Sequence, residues 1–317
     1  VDSLATPTHA APPGRDVAIL AAPCHPALLR RSLRRLAVGS AEDVREATER
    51  PARTVIPDAD LRLRVLVAED NLVNQKIVGR LLARWRCRAI HAETGRLAVA
   101  RFGDESPDLI LMDCQMPDID GFEATRKIRE LERLAGPTAR RIPIVAMTAH
   151  AMSGDRQRCL DAGMDDYIAK PLKPHDLLAA LSRWCGRALD GVGPAPPPEE
   201  DGEAPFRSGP LSEIAGTDDA FRKQILSEFL ESAERTVQDT QEAVAIPDLP
   251  RLHRGAHRLK GAAATIGADR LAAACAELER VADGTGGEEV EPLVARLREE
   301  LDTLRRFLED RPRREAA

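Results

Sequence analysis

Between residues 61 and 186, short apolar runs alternate with longer segments of helical period, the signature of parallel strands joined by crossover helices. Arg64–Ala68 (RVLVA) predicts the first strand, and Val73, Ile77, Leu81 and Trp85 recur every four residues on the helix after it. Residues 88–91 predict a second strand and 95–102 a second helix. Residues 109–112 form a nearly unbroken apolar run ending at Asp113, as in a strand buried on both faces. A loop marked by Pro117, Asp118, Asp120 and Gly121 follows, then a helix over 122–134. Residues 142–147 and 167–169 predict the fourth and fifth strands, with helices over 153–161 and 176–184. This predicts an α/β, doubly wound, five-stranded parallel sheet of order 2-1-3-4-5.

The pattern then changes twice. Residues 187–210 include GVGPAPPPEEDGEAP, which is rich in Pro, Gly and acid without apolar period, and predicts an extended, mobile linker. Over 211–312 only helical periodicity remains. Helices are predicted at 220–245, 249–264, 271–281 and 290–308, giving an all-α, up-and-down four-helix bundle with a short tail at 313–317. Residues 1–60 carry little periodic signal. Within them, Ile19-Leu20-Ala21-Ala22-Pro23 has the layout of Tyr167-Ile168-Ala169-Lys170-Pro171, with Ala22 where the later copy has Lys170. We read it as the tail of a degenerate copy of the following domain, although common residues also repeat by chance. The chain opens on Val1, and the expectation is a piece of a longer protein.

Composition narrows the function classes. Hydrophobic residues are 43% of the 317 and aromatics 3%, so the cores are built from aliphatic side chains. A formal charge of −6 gives no general attraction to nucleic acid or anionic membranes. The six cysteines form no CxxC or Cys/His cluster, which fits a reduced, cytoplasmic setting. No apolar stretch approaches the ~20 residues that span a bilayer.

Polar residues interrupt the apolar runs at four strand ends: Glu69-Asp70, Asp113, Thr148 and Lys170-Pro171. Taken singly, each is an ordinary cap or loop residue. In a parallel sheet these ends share one edge, so the side chains converge. Clustered carboxylates at a wet edge call for a hard divalent cation, and Mg²⁺ suits oxygen ligands shared with phosphate. A lysine adds a point charge for an anion, and a threonine adds a donor. Such a set suits phosphoryl transfer to an aspartate.

With 'AEDN…NQ', 'MDCQMPDIDGFE', 'MTAHA' and 'DDYIAKP', residues 63–186 resemble a flavodoxin-like response-regulator receiver domain of the kind attached to hybrid histidine kinases. The resemblance implies that Asp113 is the phosphoacceptor. It also implies that Asp70, Asp113 and the Gln115 carbonyl bind Mg²⁺, with Glu69 holding a metal-bound water. Lys170 and Thr148 would contact phosphoryl oxygens, Tyr167 would be the aromatic switch, and Lys170-Pro171 a cis peptide.

On the bundle, residues 252–267 read LHRGAHRLKGAAATIG. Lys260 and Gly261 share the face of His257 at i+3 and i+4. A mid-helix glycine costs about 1 kcal/mol relative to alanine, so it needs a reason, and room for a docking partner is one. Neutral imidazole is a good nucleophile near neutral pH. His253 lacks such neighbours and reads as a surface residue. His-x-x-Lys-Gly followed by 'AAATIGADRLAAACAELE' makes residues 205–312 similar to a histidine phosphotransfer (HPt) domain, with His257 the phosphoacceptor and Lys260 its countercharge.

Together the two resemblances imply a His–Asp phosphorelay segment. A kinase phosphohistidine would load Asp113, Asp113 would pass the group to His257, and His257 would pass it to a separate response regulator. No Gly-rich phosphate loop or kinase signature is evident, so no ATP-dependent activity is expected of this segment. An aspartyl-phosphate hydrolase of haloacid dehalogenase type is the enzymatic rival. That family needs an acid two residues after its nucleophile, where this chain has Gln115. A scaffold without turnover is the third reading.

Overall fold

The computed structural model describes residues 59–136, 138, 140–148, 153–184, 205–246, 248–284 and 289–314, all within one compact unit, Val55–Ala317. The repeat expected near residues 17–36 and the linker over 187–204 lie outside the described residues.

Five strands, β1 (Arg64–Ala68), β2 (Arg88–Ala92), β3 (Leu109–Asp113), β4 (Ile144–Thr148) and β5 (Asp166–Ala169), form one parallel sheet of order β2-β1-β3-β4-β5. All five residues of β3 and of β4 are buried, which is why those runs lack polar alternation. Helices cover both faces. Val65, Val67, Leu109, Leu111 and Val145 pack with α1 (Leu72–Arg84) and α5 (Pro174–Trp184). Leu66, Ala68, Ile110, Met112 and Ile144 pack with α2 (Gly95–Glu105), α3 (Gly121–Leu134) and α4 (Ser153–Asp161). Each buried aliphatic side chain contributes about 1.5–3 kcal/mol relative to exposure.

The helical half holds α6 (Ser208–Ala215), α7 (Asp219–Ala245), α8 (Leu249–Ile266), α9 (Asp269–Ala282) and α10 (Val290–Arg314). Helix α8 packs on α7 and α9, and α10 closes the circuit against both of those, giving the predicted bundle. Helix α6 is a departure, since the linker was expected to run to 210. Its eight residues are too few to show a period, and it forms because Leu211 and Ile214 are buried on α7 and α8. Gly267 ends α8 at φ +93°, where an added Cβ would lie 2.2 Å from the Arg207 carbonyl oxygen.

The two halves meet. Helix α1 packs against α6, α7 and α8, and the buried apolar residues of the α1/α5 face and of the bundle form one continuous set. On the rim of this contact Arg80 pairs with Asp218 at 2.8 Å and lies 5.1 Å from the centroid of the Phe221 ring. Lys76 pairs with Glu228 alongside.

The loop after β3 is held by Gly121, whose amide donates to the Cys114 carbonyl at 3.1 Å. A Cβ at 121 would lie 2.0 Å from the Asp113 carbonyl oxygen. Gly121→Ala is therefore expected to lower stability by about 1–3 kcal/mol through overpacking. Urea denaturation checks this, and an unchanged midpoint would refute the close approach.

Candidate functional site: an acid cluster facing a histidine

Because the strands are parallel, Glu69 and Asp70 after β1, Asp113 at the end of β3, Thr148 at the end of β4 and Lys170 after β5 share one edge. Lys170 Nζ lies 2.7 Å from both Asp113 Oδ2 and Glu69 Oε2. The Gln115 amide donates to Asp113 Oδ1 at 3.2 Å. Glu69, Asp70 and Asp113 each present an oxygen, all within 4.8 Å of one another. Thr148 is buried, and its carbonyl accepts the Lys170 backbone amide at 2.7 Å. Tyr167 is half-buried and packs on the α2–α4 face. The Lys170–Pro171 peptide is cis.

The cap of α1 is Asn71, whose side chain accepts from the Val73 and Asn74 amides, so Asp70 is released from that duty. Asn74 donates to Glu69 Oε1 at 2.9 Å and the Gln75 side chain to the Glu69 carbonyl at 2.6 Å. The Asn74 and Gln75 amides thus fix Glu69. The 'AEDN…NQ' motif contained all of them without revealing their targets.

Burial dominates the electrostatics. It pushes the Asp113 carboxyl up to about 7, with Glu69 and Asp70 adding repulsion and Lys170 opposing. Asp70 rises to about 6 for the same reason, burial first and Glu69 second. Burial alone would lower Lys170, but the Asp113 and Glu69 carboxylates outweigh it and hold the ammonium charged. One lysine against three acids leaves a site short of positive charge.

The bundle supplies the opposite wall. The cleft bounded by Glu69, Asp70, Asp113 and Lys170 is faced by His257, Arg258, Lys260 and Gly261 of α8. A Cβ at Gly261 would meet Asn74 Nδ2 at 3.7 Å, an ordinary van der Waals distance, so the glycine sits where α8 meets α1. Asn71 Nδ2 also reaches the Arg258 carbonyl at 3.4 Å. The His257 side chain is 13% exposed and lines the cleft together with Asp113.

The sequence reading missed Glu279 of α9. Its carboxylate lies 2.5 Å from His257 Nδ1 and also takes the Lys260 ammonium. Burial would raise Glu279, but His257 and Lys260 overcome it and draw it down to about 2. Lys260 is therefore tied to Glu279 instead of standing free as a countercharge. Burial lowers the His257 pKa, Lys170 and Lys260 lower it further, and Glu279 opposes. With an ionised carboxylate on Nδ1, that nitrogen carries the proton and Nε2 keeps its lone pair. The signal was legible: Leu271, Cys275 and Glu279 fall every four residues, putting an acid on a buried stripe. His253 is no plain surface residue either. Its ring stacks on His257 with centroids 6.2 Å apart, and its Nε2 lies 3.2 Å from Asp283.

An edge that gathers acids around one lysine is thus closed by a histidine from a helical bundle. The response regulator receiver domain family matches residues 65–182, and the Hpt domain family matches residues 224–307; the chain carries one of each. It is similar to the virulence sensor protein BvgS of Bordetella pertussis, 32% identical over 261 residues, which is 79% of this chain and 21% of that protein. It is also similar to the sensor protein GacS of Pseudomonas syringae, 35% identical over 224 residues, 68% of this chain and 24% of that protein. The chain thus spans a minor part of each of these two relatives. Among solved structures, the receiver domain of sensor histidine kinase PA1611 from Pseudomonas aeruginosa, with magnesium in its active-site cleft, aligns at 44% identity. That alignment covers 39% of this chain and 98% of that one, with a TM-score of 0.35.

Because the folded Asp113 carboxyl is raised, its burial costs stability as pH climbs from its unfolded value through about 7. Asp113→Asn removes that charge, and should stabilise the metal-free protein by on the order of 2 kcal/mol at pH 8 and by little at pH 4. Thermal melts at both pH values test this. A lower midpoint for the variant at pH 8 would contradict it.

Proposed function

We propose that this chain is a His–Asp phosphorelay segment in which Asp113 receives a phosphoryl group from a kinase phosphohistidine and hands it to His257. The observation that carries the reading is that Asp113 and His257 line the same cleft. His257 Nε2, freed by the Nδ1–Glu279 contact, attacks the phosphorus of an acyl phosphate on Asp113. The P–O bond breaks as the P–N bond forms, and the departing carboxylate returns to Lys170. His257 then serves a separate response regulator. We place the segment in the cytoplasm. Among the described residues no helix is long and apolar enough to cross a membrane.

The donor set fits a hard cation: three convergent carboxylate oxygens, two of them on groups with raised pKa, against a single lysine. Asp70 and Asp113 would hold Mg²⁺, with the Gln115 carbonyl, while Glu69 would hold a metal-bound water. When bound, the ion offsets the charge of the phosphoryl oxygens. Thr148 and Lys170 would meet those oxygens, and Tyr167 would report the change. The domains run over residues 61–186 and 211–312 in this reading.

Incubation with Mg²⁺ and labelled acetyl phosphate tests the order. In Asp113→Asn neither domain should take label, and His257→Gln should trap acid-stable, alkali-labile label on the receiver. Label on the bundle of Asp113→Asn would break the proposed order. Protonated carboxyls are poor ligands, so Mg²⁺ affinity should fall as pH drops from 8 to 6, with protons released on binding. Calorimetry in buffers of different ionisation enthalpy measures this, and a pH-independent affinity with no proton release would count against the ligand set.

A further inference from the structure

Helix α8 carries a second histidine one turn before His257, and α9 ends on a second acid one turn after Glu279. His253 and His257 stand at i and i+4, as do Glu279 and Asp283, so each pair shares one helix face. The two faces meet. His253 Nε2 lies 3.2 Å from Asp283 Oδ1 and 3.7 Å from Glu279 Oε1, which in turn lies 2.5 Å from His257 Nδ1. One ring nitrogen between two carboxylates is more than an ion pair needs. A protonated ring could serve Asp283, but 3.7 Å is too long for a hydrogen bond to Glu279. A cation between them would engage all three groups. Imidazole with carboxylates is a donor set for zinc and its neighbours, whereas Mg²⁺ takes oxygen. Facing helices that offer His and acid at one-turn spacing are a known way to build such sites. We propose that His253, Glu279 and Asp283 form a site for a borderline divalent transition cation, best matched by Zn²⁺, separate from the oxygen-only cluster at Asp113.

The Asp283 side chain is 56% exposed, and swings inward to close the set on the ion. His253 is 21% exposed, which leaves an entry path from solvent. Lys260 holds Glu279 Oε2 and His257 engages Oε1, which keeps a lone pair for the ion. Water takes the open position of a three-ligand site. The site stands on its own geometry, while its effect on His257 rests on the phosphorelay reading. An ion on Oε1 draws off the negative charge that holds the Nδ1 proton, and its own charge lies beside the imidazole. Both make Nε2 a weaker nucleophile. Zinc therefore slows phosphorylation of His257 without meeting any phosphoryl oxygen.

Zinc is titrated into the full-length protein in excess Mg²⁺, with histidine ring nitrogen shifts followed by NMR and affinity measured against a chromophoric chelator. The His253 Nε2 resonance should move on binding. His253→Ala and Asp283→Asn, both at partly exposed positions, should each weaken binding by about tenfold to a hundredfold. A His253 ring that zinc leaves unshifted, or an affinity that both variants retain, would overturn the site. For the consequence, full-length Asp113→Asn is labelled on His257 by phosphoramidate, which gives its phosphoryl group to imidazole and leaves as ammonia. Zinc should slow this labelling by about tenfold, and adding His253→Ala should bring the ratio of rates with and without zinc close to one. Equal slowing in both proteins would assign the effect to an ion elsewhere, and zinc at His253 with an unchanged rate would sink the link to His257. If His257 takes no label from any donor while zinc still shifts His253, the phosphorelay reading falls and the metal site stands.

Discussion

The Lys170 ammonium is the constraint on which the site depends. Bringing Glu69, Asp70 and Asp113 within 4.8 Å of one another would be prohibitive in a buried edge without a cation. Lys170, placed by β5 and bonded to two of the three carboxylates, makes the cluster tolerable without neutralising it. The residual imbalance shows in the acids themselves: burial and mutual repulsion raise the Asp113 and Asp70 carboxyls, which costs stability where they ionise.

The bundle contributes the opposite wall, and it sets the His257 imidazole beside the acid cluster. Burial and two nearby lysines hold proton affinity down, while Glu279 fixes the tautomer by its contact with Nδ1. The same carboxylate ties down Lys260, so one acid organises both ends of the His-x-x-Lys-Gly motif. Acid cluster and histidine become one site only because α1 is a two-sided helix. Val73, Ile77 and Leu81 serve the sheet, while Lys76 and Arg80 serve the bundle.

Much of this was legible beforehand. The strands, the shared edge of Glu69, Asp70, Asp113, Thr148 and Lys170, and the face of His257, Lys260 and Gly261 follow from local pattern, while the sheet order was read from likeness to a doubly wound fold. A strand or helix writes its buried face into the sequence at fixed intervals, and a parallel sheet aligns its ends by topology alone. Helix α6 escaped because eight residues record no period. Glu279 left a trace, an acid on an apolar stripe, but its partner lay on another helix.

What only the tertiary structure decided is which solvated faces meet. The pairing of Lys76 with Glu228 and of Arg80 with Asp218 joins residues about 150 positions apart, and nothing periodic marks either side. Local patterning records burial against a domain's own core, where apolar residues must repeat. The docking of one surface on another depends on shape, apolar contact and rim charge summed over distant segments, and the chain carries no local imprint of that sum.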